Sequence, residues 1–192
     1  MKVLNLYAGI GGNRKLWKDV EVTAIENNQE IADIYKDLFS DDIVIVTDAH
    51  QYLLEYFQEF DFIWSGPPCQ SHSRTNYFLK TKVLRYPDLK LYEEIIFLQT
   101  YFNKGRWVVE NVIPFYLPLI HPTIVIGRHC FWSNFRIQNI FSSNKEIGKM
   151  CGKNQTAHKK PLLERNMVDP KLGLHIFNES KKGMKPLFNY DY

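Results

Sequence analysis

With 192 residues, 45% of them hydrophobic and 15% aromatic, the chain has the length of one domain and ample material for a core, which excludes a disordered chain. Its longest apolar run, 115–126, is broken by Pro118, His121 and Pro122, so no membrane span is expected. The net charge of +3 hides a gradient: residues 1–135 carry 13 Lys+Arg against 16 Asp+Glu, a net of −3, and residues 136–192 carry 11 against 5, a net of +6. Such asymmetry points either to a basic face for a polyanion or to a solvated lysine-rich tail.

In chain order, residues 3–7 predict a buried strand running into the glycine turn Ala8-Gly9-Ile10-Gly11-Gly12, with a helix from about Asn13 and Leu16 and Trp17 on its inner side. Strand, glycine turn and helix N-terminus let backbone N–H groups approach a ligand closely, and a side chain at Gly11 would fill that approach. Residues 22–25 predict a second strand ending on Glu26, where a carboxylate can accept from ribose hydroxyls or be an ordinary surface acid. Ile31, Ile34, Tyr35 and Leu38 form a helical apolar stripe. Residues 43–46 predict a third strand ending at Thr47-Asp48, where Asp48 either caps the next helix or contacts a bound nucleoside.

The run Asp61-Phe62-Ile63-Trp64-Ser65 predicts a buried strand that ends in Gly66-Pro67-Pro68-Cys69-Gln70. Each proline fixes its own φ and pushes the preceding residue to an extended conformation, so Cys69 is presented on a stiff turn beyond a strand's carboxyl end. In open α/β sheets that edge binds ligands. A buried structural cysteine is the alternative. Between Ser71 and Pro87, Arg74, Lys80, Lys82 and Arg85 interleave with Tyr77, Phe78 and Tyr86 without an acid, which suits phosphate contact and base stacking. A helix from about Asp88 to Phe102 follows. The strand 107–109 ends on Glu110-Asn111-Val112, a second carboxylate at a strand's carboxyl end. A strand over 123–126 precedes Gly127-Arg128-His129-Cys130-Phe131-Trp132-Ser133-Asn134-Phe135, whose alternating aromatics predict a half-buried strand. A short helix starts near Pro170. Cys69, Cys130 and Cys151 lie far apart with no Cys-x-x-Cys pair, which argues against a zinc site or a disulfide framework and fits a reducing cytoplasm.

Three of these motifs, in this order, resemble those of the cytosine-C5 DNA methyltransferases. Tyr7-Ala8-Gly9-Ile10-Gly11-Gly12 is similar to their first motif, with Tyr for the usual Phe. Gly66-Pro67-Pro68-Cys69-Gln70 with Ser73 resembles the nucleophile motif, and Glu110-Asn111-Val112 the motif of the catalytic glutamate. The resemblance covers roughly residues 1–135. It implies a doubly wound, mainly parallel α/β sheet of the class I methyltransferase type, with an antiparallel strand and a small C-terminal appendage. On that reading residues 1–135 form the catalytic domain and 136–192 a small basic target-recognition region. The implied activity is methyl transfer from S-adenosylmethionine to C5 of cytosine in double-stranded DNA, with no metal.

Cys69 would be the nucleophile, its pKa eased down by a helix terminus or nearby cations. Glu110 would act on the base, and Arg128 would be the third catalytic group, in a region that reads Gly127-Arg128-His129 where the family usually carries Gln-x-Arg-x-Arg. Tyr7, Ala8, Gly9, Gly11, Gly12, Glu26, Asn27, Asp48, Ala49 and Pro67 would hold the cofactor. Gln70, Ser73, Arg74, Asn111 and His129 would meet the substrate, and either Arg128 or His129 would contact cytosine O2, Arg128 being favoured because it stays charged at any physiological pH. The family's final cofactor-contacting motif, Gly-Asn-Ser…Pro-Val, has no counterpart, although 165–170 loosely resembles the Arg…Pro of a late motif. A cytoplasmic location and a restriction endonuclease or other partner subunit fit the resemblance. The same chemistry on RNA or a free cytidine nucleotide, or a non-catalytic nucleic-acid-binding role, are the alternatives.

Overall fold

The computed structural model describes residues 1–78, 85–140 and 167–182. Lys80 and Lys82 of the basic loop, Cys151, and 141–166, most of the anticipated recognition region, lie outside the described residues. Seven strands form one sheet: β1 Lys2–Leu6, β2 Glu21–Glu26, β3 Ile43–Val46, β4 Phe62–Ser65, β5 Arg106–Val112, β6 Ile124–Ile126 and β7 His129–Ser133. Their order is β3-β2-β1-β4-β5-β7-β6. The first five in that order run parallel, whereas β7 is antiparallel to both β5 and β6. The chain thus winds outward from β1 through β2 to β3, then returns to the other side of β1 with β4. That reversal between β1 and β4 is the topological switch point of a doubly wound sheet, and the expected class I fold is the one observed.

Four α-helices are described: α1 Gln29–Leu38, α2 Ala49–Tyr56, α3 Lys90–Tyr101 and α4 Pro170–Ser180. Their starts follow from side-chain oxygens that accept from orphan N–H groups. Asn28 accepts from the Ile31 N–H, Asp48 from Gln51, and Asp169 from Lys171 and Leu172, with Pro170 preset at the first helical position. Period-2 alternation assigns the faces. Leu4, Leu6, Ile63, Val109 and Trp132 pack with α2 and α3 through Leu53, Leu91, Ile95 and Leu98. On the opposite face Val3, Phe62, Trp64, Val108 and Phe131 pack with α4 through Leu172, Ile176 and Phe177. Tyr35 of α1 packs over Ala8 and Ala24.

Four local expectations are corrected. No helix starts at Asn13: residues 8–17 form consecutive turns closed by Gly11 to Ala8, Arg14 to Gly11 and Trp17 to Arg14 backbone bonds. Only eight residues separate Gly12 from β2. Within them Asn13 is held by Asn5, Arg14 is held by Asp42, and Asp19 takes φ +59. Leu16, expected inside, is exposed while Trp17 is buried. Of the stripe on α1, Ile34 and Leu38 face solvent, and Ala32 and Tyr35 carry the burial. β7 is buried on both faces, with Cys130, Phe131 and Trp132 at most 2% exposed, because α4 and α3 cover its two sides.

α4, which the sequence places in the C-terminal region, fills the space left by the missing helix. The Trp17 indole stacks on Phe177 at 4.9 Å, and its N–H donates to the Gly173 carbonyl at 3.2 Å.

Candidate active site

All the candidate groups gather at the carboxyl edge of the sheet around the switch point. Beyond β1 the chain turns through Tyr7 at φ +55, Gly9 at φ +54 and Gly11 at φ +75. The two glycines serve different ends. A Cβ at Gly11 would run into the Phe39 and Tyr35 rings of α1 and its cap, so packing alone already requires a glycine here. A Cβ at Gly9 would meet nothing within 4 Å and would project into open space. The Gly9 N–H donates to Glu26 Oε2 at 3.0 Å, and the Asn28 N–H donates to Oε1 at 3.0 Å. Each carboxylate oxygen keeps a lone pair for a further donor. Asp48 caps α2 and lies close enough to Tyr7 to push the phenol pKa up, behind burial and Glu94. Asn27 is exposed beside Glu26, and Ala49 is buried at the start of α2.

Beyond β4, Gly66 and the two prolines lead to the half-buried Cys69. Three ties fasten this turn to β5 and the chain just beyond it. Asn111 Nδ2 donates to the Pro67 carbonyl at 3.0 Å, Ser73 pairs with Pro114 as an isolated bridge, and the Phe115 N–H donates to the His72 carbonyl at 3.0 Å. Arg74 Nε adds a bond to the Pro114 carbonyl at 3.4 Å. Gln70 is exposed, and its carbonyl accepts from Asn76. Adjacent parallel strands tied in this way bring Cys69 and Glu110 to one cleft. A Cβ at Gly66 would lie 3.6 Å from Glu110 Oε2.

Burial pushes the Cys69 thiol up, the Glu110 carboxylate pushes it further, and the cysteine's own backbone hydrogen bond and Arg128 pull it down by less. That reverses the expected direction: in the free protein the thiol form is favoured. Cys130, on the other face of β7, is pushed up to about 11 by burial and then by Glu110. Glu110 Oε1 sits 2.6 Å from His129 Nδ1, and Arg128 Nε donates to His129 Nε2 at 3.3 Å. The structure therefore brings Cys69, Glu110, Asn111, Arg128 and His129 together on one side, and Tyr7, Gly9, Glu26 and Asp48 on the other.

A polar cluster beneath both halves was missed. Glu94 of α3 is 0% exposed and accepts from Tyr7 Oη at 2.6 Å and from the Ser65 hydroxyl, with His50 Nδ1 at 3.2 Å. The signal was present: Glu94 falls on the Leu91-Ile95-Leu98 stripe, and an acid on an apolar helix face calls for buried partners. His72, also missed, is 1% exposed with Nδ1 against Tyr116 Oη at 2.5 Å, and burial pushes its pKa down. Among the described residues no cluster of three or more His, Cys, Asp and Glu side chains could hold a metal ion, and no helix is long and apolar enough to cross a membrane.

No curated protein matches the chain. Among solved structures it is similar to a variant of DNMT2 from Spodoptera frugiperda at 27% identity, covering 58% of this chain and 35% of that one, with a TM-score of 0.43. It is also similar to a putative DNA modification methyltransferase of an Escherichia coli prophage at 20% identity, covering 61% and 33%, TM-score 0.40. A third is the SAM-dependent methyltransferase from Agrobacterium tumefaciens at 18% identity, covering 60% and 40%, TM-score 0.40. The chain thus spans about a third of the length of the DNMT2 structure. The family model of the C-5 cytosine-specific DNA methylases matches residues 1–92, from β1 through the glycine turn, Glu26 and the Cys69 turn into α3.

Proposed function

We propose that the protein transfers a methyl group from S-adenosylmethionine to C5 of cytosine in DNA, through a covalent bond between Cys69 and the base. The observation that supports this most is the pairing of Cys69 with Glu110 across the ends of β4 and β5, clamped by the Asn111 to Pro67 bond. A purely binding role needs neither a thiol nor a carboxyl at that place.

The cofactor side fits a nucleoside. The open space at Gly9 gives a ligand the backbone, and Glu26, fixed by two N–H groups, offers its remaining lone pairs to ribose hydroxyls. S-adenosylmethionine, when bound there, supplies an electrophilic methyl on a sulfonium. Cytosine C5 is by itself too poor a nucleophile to take it. Cys69 supplies the remedy: its thiolate adds to C6, forming the S–C6 bond while Glu110 delivers a proton to N3, and the ring becomes an enamine nucleophilic at C5. After C5 is methylated, a base removes the C5 proton, the S–C6 bond breaks, and N3 returns its proton to Glu110. Burial and Glu110 hold the free thiol up, so on substrate entry the Cys69 proton passes to the Glu110 carboxylate, and this is the proton that Glu110 delivers to N3. A base in duplex DNA must be flipped out to reach this cleft.

The test is covalent trapping. Fluorine at C5 cannot leave as a cation, so DNA carrying 5-fluorocytosine, with cofactor, should yield an adduct mapped by peptide mass spectrometry to Cys69. Cys69→Ser should lose both adduct and turnover, while Cys130→Ala keeps them. An adduct on Cys130, or full activity in Cys69→Ser, would end the mechanism. Labelled-methyl assays on duplex DNA, RNA and deoxycytidine monophosphate in parallel identify the substrate.

A further inference from the structure

Glu110 does not stand alone on its strand. The antiparallel register pairs Glu110 with Phe131 and Val112 with His129, so Glu110 and His129 are diagonal neighbours on the same sheet face. There the imidazole, only 8% exposed, lies with Nδ1 2.6 Å from Glu110 Oε1. Its other nitrogen, Nε2, faces Arg128 Nε at 3.3 Å. A guanidinium has donors and no acceptor, so Nε2 has to offer its lone pair and cannot carry the proton. The proton therefore sits on Nδ1, and His129 is a neutral imidazole donating to Glu110. Oε1 is thereby engaged, and Oε2 is the oxygen on the Gly66 side, toward the turn that carries Cys69.

We propose that His129 is a positioning residue: locked by Arg128 in its Nδ1–H form, it holds Glu110 Oε1 so that Oε2 alone is presented to the ring nitrogen of the base. This deepens the methyltransferase reading and rests on it. It also gives Arg128 a task apart from any contact with the base, that of fixing a tautomer. A partner that orients the group doing the chemistry acts on kcat rather than on the binding of either ligand.

Asparagine and glutamine separate the two imidazole nitrogens. In His129→Asn the amide N–H₂ falls near the position of Nδ1, whereas in His129→Gln it falls near Nε2. The expected result is kcat close to wild type in His129→Asn and a loss of about 10- to 100-fold in His129→Gln, the scale usual for an orienting partner. KM for DNA and cofactor affinity by calorimetry should stay unchanged in both, with similar melting temperatures. In a Glu110→Gln background, His129→Gln should cost nothing further. Equal kcat in the two variants, or a full additive loss with Glu110→Gln, overturns the proposal.

Long-range ¹H–¹⁵N spectra of the imidazole test it without any turnover: Nδ1 should carry the proton in the wild type, and Arg128→Ala should release that preference. A proton on Nε2 in the wild type overturns the assignment even if methylation is confirmed. An enzyme that gives no adduct at Cys69 but shows the Nδ1 proton would instead sink the methyltransferase reading and leave the tautomer standing.

Discussion

At residue scale, Gly9 and Gly11 show one residue type meeting two physical demands. Both lie at positive φ, where a Cβ costs about 1–2 kcal/mol. Gly9→Ala adds a methyl to open space, so the fold should lose only about that amount while calorimetry shows weakened cofactor binding. Gly11→Ala drives its methyl into the Phe39 and Tyr35 rings, so overpacking adds a further ~1–3 kcal/mol. Its melting temperature should fall more than that of Gly9→Ala. If Gly11→Ala melts like wild type but binds no cofactor, the assignment of the two roles is reversed. Glu110→Gln keeps size and hydrogen bonding but loses the transferable proton, so DNA binding should persist while single-turnover methylation slows by about 10²–10⁴.

At the scale of elements, α3 is pinned under the site by one buried acid. Glu94 joins the end of β1 through Tyr7, the end of β4 through Ser65, and α2 through His50. Glu94→Ala would strand three polar groups away from water at about 1–3 kcal/mol each, an upper bound if they find water. Urea unfolding should show a loss of about 3 kcal/mol, and Glu94→Gln a smaller one. The buried His50 and His72 titrate in opposite senses. Bonding to Glu94, offset in part by burial, raises His50, which therefore stabilises below the ordinary histidine pKa and loses this as pH rises through its folded value. Burial lowers His72, which stabilises above the ordinary value and loses this as pH falls toward its folded one. His50→Gln should unmask the second limb as a melting temperature that falls with acidification below about pH 6.5; a flat profile would count against it. Strands were the most legible elements in the sequence, because buried runs such as 62–65 and glycine or proline stops are local signals. The turn at 8–17 was not, since its tertiary partners Asp42 and Gly173 outweigh local helical spacing. The Cys69 and Glu110 pair could be read from residue type and strand order. Their ties, and the His129 contact, depend on register, which no local pattern carries.

At the scale of the whole molecule, charge and packing carry separate consequences. The net +6 of residues 136–192 should engage the phosphate backbone, so log affinity for duplex DNA should fall linearly with log salt. Lys159→Ala with Lys160→Ala should make that slope shallower, and a salt-independent affinity would favour a free nucleotide as substrate. Gly173 lies against the Asn13 backbone, where an added Cβ would come 2.7 Å from Asn13 Cα. Alanine would raise helix propensity in α4 by about 1 kcal/mol, yet Gly173→Ala should lower the melting temperature and shift Trp17 fluorescence to the red, because the clash separates α4 from the sheet. Contact between Trp17 and Gly173 spans 156 positions, and this sets a timetable for synthesis. Every described strand emerges from the ribosome before the helix that seals the Trp17 and Phe62 side. Until residues 170–180 are made, a nascent chain holds Cys69 and the glycine turn on a half-covered sheet with bare aromatics. Such long-range closure folds slowly and exposes the chain to aggregation, so chains released early should accumulate as insoluble, chaperone-bound material rather than as partially active enzyme.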